Sequence, residues 1–216
     1  MTLSNLLLAL YIFSDLLEKY QDDKYFRDRA ILAPRFDDVH KVNEMLIGQL
    51  LGEDKIYLSS ESICKHEKNF KMLAELYITE IFNSIKGSGS PYHRIRLKVG
   101  SPVMLLRNID KPLGPCNGIR LIVSKHDKHV IEVIPLVGRS ARQKIITTWI
   151  LINPSNYKIT FKFLHCQFPL TFSFAMIINK RQGQSLSIVG LYLLRPMFTH
   201  GQLYVTLSRV PYPISW

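Results

Sequence analysis

The fold class is decided by residues 31–50, which read ILAPRFDDVHKVNEMLIGQL. A short apolar run, Ile31-Leu32-Ala33, is stopped by Pro34, which predicts a buried strand. Asp37 and Asp38 supply the chemistry of a helix N-cap. Apolar residues then follow at helical spacing, namely Val39, Val42, Leu46 and Leu50. A buried strand followed directly by an amphipathic helix is the repeating unit of an α/β domain with a parallel sheet.

The hydrophobic period changes in the middle of the chain, after the break at Gly87-Ser88-Gly89-Ser90-Pro91. There, cations alternate with aliphatic residues, so that a strand would place Arg94, Arg96 and Lys98 together on one face. Further β-like runs follow at 103–106, 119–123, 130–134, 144–151 and 159–164. This pattern predicts a small β-barrel or sandwich inserted into the α/β domain. From Ser173 a helical pattern returns, followed by an apolar strand at 188–194 and a helix around 200–208.

The positive charge of the chain is concentrated in this β-rich stretch. The 216 residues have a net charge of +11, and residues 91–165 contain 13 Lys and Arg against 3 Asp and Glu. Such a block is the usual footprint of contact with nucleic-acid phosphates, and a solvated surface is the alternative. On charge alone, Arg94, Arg96 and Lys98 are the predicted DNA-binding side chains. Residues 166–216 contain no Asp or Glu, so this part cannot supply the carboxylate that a nucleotide-hydrolysing site needs for Mg²⁺.

The cysteines and the apolar N-terminal residues indicate the cellular compartment. Cys64, Cys116 and Cys166 are far apart and odd in number, which predicts neither a disulfide framework nor a metal site, and favours a reducing intracellular compartment. Residues 1–13 are apolar but lack a basic region and a cleavage site, and they are too short to span a bilayer. We expect a buried or amphipathic helix there and no membrane partner, with a targeting role as the alternative.

Two blocks near the end of the chain carry the candidate chemistry. The chain has no Gly-x-x-x-x-Gly-Lys-Ser/Thr element and therefore no cradle for the β- and γ-phosphates of a nucleotide. The block 179–185, Asn-Lys-Arg-Gln-Gly-Gln-Ser, groups hydrogen-bond donors around one glycine, which suits phosphate binding, or else forms an ordinary polar turn. Arg209 ends a predicted helix, where an arginine can stabilise a transferring phosphoryl group in another domain or can simply complement the helix dipole at the surface.

The two blocks, 175–186 and 201–210, resemble the last two signature motifs of superfamily-one DNA helicases. The resemblance is to Pif-type helicases of the RecD-like branch, and especially to the helicase half of Helitron transposons, and it runs from about Ala30 to Val210. Further ordered matches are Ile31–Pro34 with Asp37-Asp38-Val39 and Asn43, Tyr57–Ser60, Leu97–Gly100, Pro102–Asn108, Cys116–Gly118 and Arg120–Val123. The chain departs from the family where Ile177 and Arg181 replace Thr and Ser, and where Arg35-Phe36 replaces a Thr-Asn pair.

The resemblance implies a domain plan and a set of site residues. Residues 20–90 and 166–216 would form the second RecA-like domain, a parallel sheet with flanking helices, and residues 91–165 a basic SH3-like β-rich insertion. Residues 1–19 match nothing in the family. The implied roles are an arginine finger for Arg209, nucleotide contact for Gln182 and Gly183, and DNA contact for Asn179 and Lys180.

The function expected from the sequence is that of the C-terminal part of an ATP-dependent DNA helicase of DNA repair and recombination. ATP and Mg²⁺ would serve the intact motor, with the Mg²⁺ site outside this chain. The partners would be single-stranded DNA and a first RecA-like half, in the nucleus or, alternatively, the mitochondrion. Both ends of the chain leave the family pattern, which suggests a truncated copy that is inactive alone. The alternatives are a non-catalytic module that binds single strands through the basic insertion, and a decayed transposon remnant.

Overall fold

The structure, a computed structural model, describes residues 3–20, 22–63, 91–109, 115–138, 141–152, 163–178 and 186–193. The helices are α1 (Leu3–Ile12), α2 (Leu16–Lys19), α3 (Asp23–Arg27) and α4 (Phe36–Gln49). The strands are β1 (Arg29–Ala33), β2 (Lys55–Leu58), β3 (Ser60–Ile63), β4 (Arg94–Leu97), β5 (Pro102–Leu105), β6 (Arg120–His126), β7 (Val130–Pro135), β8 (Ile145–Thr148), β9 (Ile150–Ile152), β10 (Phe163–Gln167), β11 (Leu170–Phe172), β12 (Ala175–Ile177) and β13 (Ile188–Leu191). The fold is mixed α/β, with one parallel sheet and several antiparallel ones, as the sequence predicts.

The parallel sheet is built around the predicted strand-then-helix unit. Its order is β12-β1-β13, and Ile31 of β1 lies opposite Ala175 on one side and Gly190 on the other. The helix α4 begins at Phe36 with Arg35 at the N-cap position, so Asp37 and Asp38 lie in the first turn rather than at the cap. There they still complement the positive end of the helix dipole.

One sequence-based expectation for this sheet is wrong. The chain from Ser173 was expected to be helical, but residues 175–177 form the strand β12. Ala175 and Met176 are both buried, because they lie on opposite faces of a sheet that is covered on both sides. Two-sided burial removes the alternation by which a strand is normally recognised.

The N-terminal segment is part of the α/β core. Ile12 of α1 packs against the sheet at Gly190, where its Cγ1 lies 2.8 Å from the position a Cβ would occupy. The ring of Phe13 packs edge-on against Phe174, with centroids 5.7 Å apart, and beside Phe26 at 6.3 Å. One face of this segment, with Ala9, Ile12, Phe13 and Leu16, is thus buried in the core, whereas Tyr11 and Leu17 are exposed.

The β-rich middle consists of antiparallel sheets. The largest has the order β11-β5-β6-β7-β8, with a bulge between Val123 and Lys125. The strand β2 pairs with β4, and β10 lies between β3 and β9. The β-rich region therefore recruits strands on both sides of residues 91–165. The run 144–151 is divided between β8 and β9, which belong to different sheets, with Trp149 between them and 5.1 Å from the ring of Phe168.

A buried arginine joins the five-stranded sheet to the parallel sheet. Arg120 of β6 is 1% exposed. Its Nη2 donates to the carbonyl oxygens of Arg29 at 3.1 Å and Ser173 at 3.2 Å. Arg29 is the first residue of β1, and Ser173 lies just before β12. Arg120 therefore holds the start of these two parallel strands against the β-rich region.

Other sequence-based expectations concern residues that are not described. The Gly-Ser break at 87–91, except Pro91, and the predicted helix at 200–208 lie outside the described residues. Within the described ranges, no helix is both long and apolar enough to cross a membrane.

Candidate nucleic-acid interface

The predicted site residues divide into two groups. Arg94, Arg96 and Lys98 lie on or just after β4 and are described. The remaining predicted residues lie outside the described residues, and their roles stay predictions: Asn179, Lys180, Gln182, Gly183 and Arg209.

The strand β4 alternates as predicted up to Leu97. Ile95 and Leu97 are buried, Arg94 is exposed and Arg96 is half-buried. The Nη2 of Arg96 donates to the backbone carbonyl of Glu44 at 3.2 Å and lies 3.6 Å from its carboxylate. The guanidinium of Arg96 is therefore held by α4 rather than presented to solvent like that of Arg94.

Lys98 is buried, with 8% of its side chain exposed. Its Nζ donates to the carbonyl oxygen of Leu50 at 2.6 Å and lies 3.8 Å from the carboxylate of Asp54. Asp54 is also 3.8 Å from the Nε of Arg96. The three cations do not form one open face. Arg96 and Lys98 both pack against the C-terminal end of α4. The prediction that Lys98 shares an exposed face with Arg94 is wrong, because the Lys98 ammonium is buried and donates to a carbonyl inside the protein.

The other end of the same segment also packs against α4. The ring of Tyr92 stacks on His40 at 4.6 Å and on Phe36 at 5.3 Å between centroids. Burial, with the nearby carboxylates of Glu44 and Asp37, raises the pKa of the Tyr92 phenol far above its usual range. The helix α4 thus supports the segment 92–98 along its length.

Other exposed cations of the β-rich region lie beside the β6–β7 turn and before β8. Among the described residues they include Lys125, Lys128, Arg142 and Lys144, and Arg107 after β5 is exposed as well. Lys125 lies opposite Glu132 in the register of β6 and β7, and the Nζ of Lys144 lies 3.1 Å from the Glu132 carboxylate. A hydrogen bond from Ser124 and then the one from Lys144 lower the pKa of Glu132, so this carboxylate stays ionised between the two lysines.

These four cations were missed because they show no strand alternation. Lys125 lies near the end of β6, and Lys128, Arg142 and Lys144 lie outside the strands. No single period relates the four, and only the overall charge of residues 91–165 indicates them. Their ammonium and guanidinium groups can approach phosphates, which Lys98 cannot do.

A buried asparagine holds the strand that precedes the donor block 179–185. Asn43 of α4 is 3% exposed. Its Nδ2 donates to the carbonyl oxygen of Ala175 at 3.0 Å, and its Oδ1 accepts from the Ala175 N–H at 2.8 Å. The sequence indicates Asn43 only through the resemblance to Pif-type helicases, and nothing in the sequence pattern relates it to a residue 132 positions away.

Within the described ranges, no group of three or more His, Cys, Asp or Glu side chains is placed to hold a metal ion.

Comparison with known proteins finds one family to which the chain is similar. A family model for "DNA helicase Pif1, 2B domain" matches residues 80–125, a range that includes β4, β5 and most of β6. The ATP-dependent DNA helicase PIF1 of Xenopus laevis is 32% identical over 187 residues, which are 83% of this chain and 26% of that protein. The chain is similar in sequence to Pif1 DNA helicases. The PIF1 helicase of Danio rerio is likewise 32% identical over 188 residues. The chain spans about a quarter of the length of these two relatives.

Solved Pif1 structures share the fold of this chain. Pif1 helicase from Candida albicans has a TM-score of 0.62 at 21% identity, covering 92% of this chain and 50% of that one. Bacteroides Pif1 bound to ssDNA has a TM-score of 0.61 at 24% identity, covering 97% and 47%. The Bacteroides enzyme in complex with ADP-AlF3 and ssDNA has a TM-score of 0.60 at 23% identity, with the same coverage. The Pif-type resemblance and the predicted fold class are confirmed.

Proposed function

We propose that this chain is part of an ATP-dependent DNA helicase of the Pif1 type and supplies its second RecA-like half together with a basic β-rich region. The observation that carries the proposal is the similarity to PIF1 helicases over 83% of the chain. The described fold supports it, because the parallel sheet β12-β1-β13 with α4 is the strand-and-helix layer that a RecA-like half requires.

The nucleotide would be handled by residues from two halves. In this proposal Arg209 is the arginine finger, and Gln182 and Gly183 contact the nucleotide. An arginine held beside a transferring phosphoryl group stabilises the negative charge that it develops. The phosphate cradle would belong to the first half, because this chain has no Gly-x-x-x-x-Gly-Lys-Ser/Thr element.

The DNA strand would be contacted through phosphates. We assign this role to Lys125, Lys128, Arg142 and Lys144, together with exposed Arg94. Asn179 and Lys180 keep the role that the family resemblance implies. Cations at a surface bind a single strand chiefly by releasing its condensed counterions, so the affinity depends steeply on salt.

Salt-dependent binding of a labelled oligo-dT strand, followed by fluorescence anisotropy, tests the DNA contact. The slope of log affinity against log salt is negative, and each lost phosphate contact reduces its magnitude by about 0.7 for single strands. Replacing Lys125, Lys128 and Lys144 together with alanine is therefore expected to lower the slope by about 2. The matched control replaces three exposed lysines of the α/β part, Lys19, Lys24 and Lys41, with the same change of net charge.

The control variant is expected to keep the wild-type slope. Equal slopes for both triple variants would mean that the lysines beside the β6–β7 turn do not contact the strand. No measurable binding by the wild-type chain would refute the single-strand contact altogether.

Addition of a separately expressed first RecA-like half tests the motor assignment. DNA-stimulated ATP hydrolysis that appears on mixing and disappears with Arg209→Ala is the expected result. Strand binding without any ATP hydrolysis on mixing would favour the non-catalytic binding module, for which the exposed cations are the supporting observation. Hydrolysis that survives Arg209→Ala would remove the arginine-finger role.

A further inference from the structure

The five-stranded sheet ends at the strand β8. Within the described ranges, β8 pairs with β7 on one side and with no strand on the other. Its four residues, Ile145–Thr148, are all β-branched, which favours an extended backbone. They include none of the prolines or charged side chains that usually protect an edge, and their register with β7 contains no bulge. This edge is therefore a template to which a further strand can add.

The backbone groups on the outer side of β8 follow from the hydrogen bonds of β7. The carbonyl oxygens of Val130 and Glu132 accept from the β6 side, from a backbone N–H at 2.9 Å and a serine hydroxyl at 3.1 Å. Ile131 between them therefore faces β8, where it lies opposite Thr147. Residues opposite each other in an antiparallel pair either exchange bonds or both point away, so Thr147 bonds to β7. The N–H and C=O of Ile146 consequently point away from β7, to the outer side of the edge.

The side chains beside this edge form an apolar strip on the outer face of the sheet. Ile146 is 61% exposed and Val130 is 39% exposed, whereas Thr147 lies on the other face and is 1% exposed. An added strand would place every second side chain on the outer face, next to Ile146. Cross-strand contact with an exposed isoleucine favours an apolar or β-branched residue at that position of the partner.

The charge around β8 favours an acidic partner. Residues 133–152 contain three Lys and Arg and no Asp or Glu, and Arg142 and Lys144 are exposed just before the strand. Lys144 lies 3.1 Å from the Glu132 carboxylate, yet its side chain is 61% exposed. A second copy of this chain would bring the same cations together across the two edges, and like charges facing each other are unfavourable. Carboxylates beside a partner strand would instead be attracted.

We propose that the edge of β8 is a docking site for an extended, acidic peptide segment of another protein, which adds to the five-stranded sheet as a further strand. In this mode main-chain hydrogen bonds to Ile146 hold the segment, and the apolar strip and the cations select it. The inference goes beyond the proposed function and does not depend on it. Contact with DNA phosphates needs the cations alone, whereas the peptide also needs the backbone groups of Ile146.

Fluorescence anisotropy with a labelled peptide tests the docking site on the full chain. The probe has about ten residues, rich in Val and Thr, with glutamates near both ends. The wild-type chain is expected to bind it, and to bind the same peptide with lysines in place of the glutamates about tenfold more weakly or worse.

The edge itself is tested by Ile146→Pro, which removes the outward N–H and leaves the bonds of Thr147 to β7. Proline is tolerated on an edge strand where the N–H faces solvent. The variant is expected to weaken peptide binding about tenfold or more. The matched control, Ile146→Ala, keeps the N–H and is expected to stay within about threefold of the wild type. Both variants are expected to bind oligo-dT with wild-type affinity.

Hydrogen exchange of the wild-type chain gives a second readout that needs no substitution. The Ile146 N–H points outward in the free chain, and saturating peptide is expected to slow its exchange about tenfold or more. The Thr147 N–H bonds to β7 with and without the peptide, so its exchange is expected to change far less. If circular dichroism shows that Ile146→Pro does not fold, this measurement decides: protection at Ile146 supports the docking site, and unchanged exchange overturns it.

The remaining outcomes separate the docking site from the proposed function. No peptide binding by the wild-type chain at about 1 mM overturns the docking site and leaves the proposed function standing. Binding that Ile146→Pro retains, with unchanged exchange at Ile146, means contact through the cations alone and also overturns it. Equal losses of peptide and oligo-dT binding in a folded Ile146→Pro assign the edge to the DNA surface instead. Peptide binding by a chain that binds no oligo-dT supports the docking site while refuting the DNA contact.

Discussion

Substitution of Lys98 tests whether this residue is a structural cation or a DNA-binding one. The loss in free energy of unfolding caused by Lys98→Glu can be calculated from its contacts. Lys98→Glu removes the charge-assisted bond from Nζ to the carbonyl of Leu50, which measures 2.6 Å and is worth about 1.5–3 kcal/mol. It also places a carboxylate near Asp54, which lies 3.8 Å from the present ammonium. Two like charges at that distance repel by about 4 kcal/mol at an effective dielectric constant of about 20.

The repulsion is partly screened, because the side chain of Asp54 is 40% exposed. We therefore expect Lys98→Glu to lower the free energy of unfolding by about 3–5 kcal/mol, a large part of the 5–15 kcal/mol typical of a domain. Lys98→Met removes the hydrogen bond but adds no charge, and we expect a loss of about 1.5–3 kcal/mol. The control is Arg94→Glu at the exposed end of the same strand, with an expected change within about 0.5 kcal/mol.

Urea unfolding followed by circular dichroism measures all three variants, and anisotropy with oligo-dT measures the binding of the folded protein. The reasoning predicts a strongly lowered midpoint for Lys98→Glu and a near-normal midpoint for Arg94→Glu. If the two midpoints coincide, Lys98 is not a buried structural cation. Normal stability with lost strand binding in Lys98→Glu would restore the DNA-contact role that the sequence pattern suggests.

Two further predictions concern packing and pH. A Cβ at position 190 would lie 2.8 Å from Cγ1 of Ile12, so Gly190→Ala is expected to lower stability by about 1–3 kcal/mol through overpacking. Gly48 lies in a helix, and a Cβ there would meet only the Nη2 of Arg96 at 3.8 Å. Gly48→Ala is therefore expected to raise stability by about 0.5–1 kcal/mol. Thermal melts in which both variants shift the midpoint in the same direction would contradict this contrast. Burial, and then Lys55, lower the pKa of His126, so the folded chain binds fewer protons than the unfolded chain below about pH 6.5 and stability falls as pH drops through that range. Urea midpoints at pH 7.5 and 5.5 should therefore differ less in His126→Gln than in the wild type, and an unchanged difference would exclude this source.

Much of the local structure could be predicted from the sequence. The unit from Ile31 to Leu50 forms the strand and helix that its apolar spacing indicates, and the alternation from Arg94 to Leu97 is that of a strand. The strand β12 could not be predicted correctly, because Ala175 and Met176 are buried on opposite faces and leave no period. The cations beside the β6–β7 turn could not be found either, since residues in turns follow no repeat.

The sequence by itself determined the fold class, the β-rich middle and the concentration of positive charge in it, because apolar periodicity, Gly and Pro positions and residue charge are local properties. Only the tertiary structure decided which cations face solvent and what holds the edge of the parallel sheet. Lys98 is buried because Leu50, 48 residues away, lies against it, and Ala175 is held by Asn43 from a distance of 132 residues. Solvation and hydrogen-bond partners depend on which elements pack together, and that depends on the whole chain rather than on any window of it.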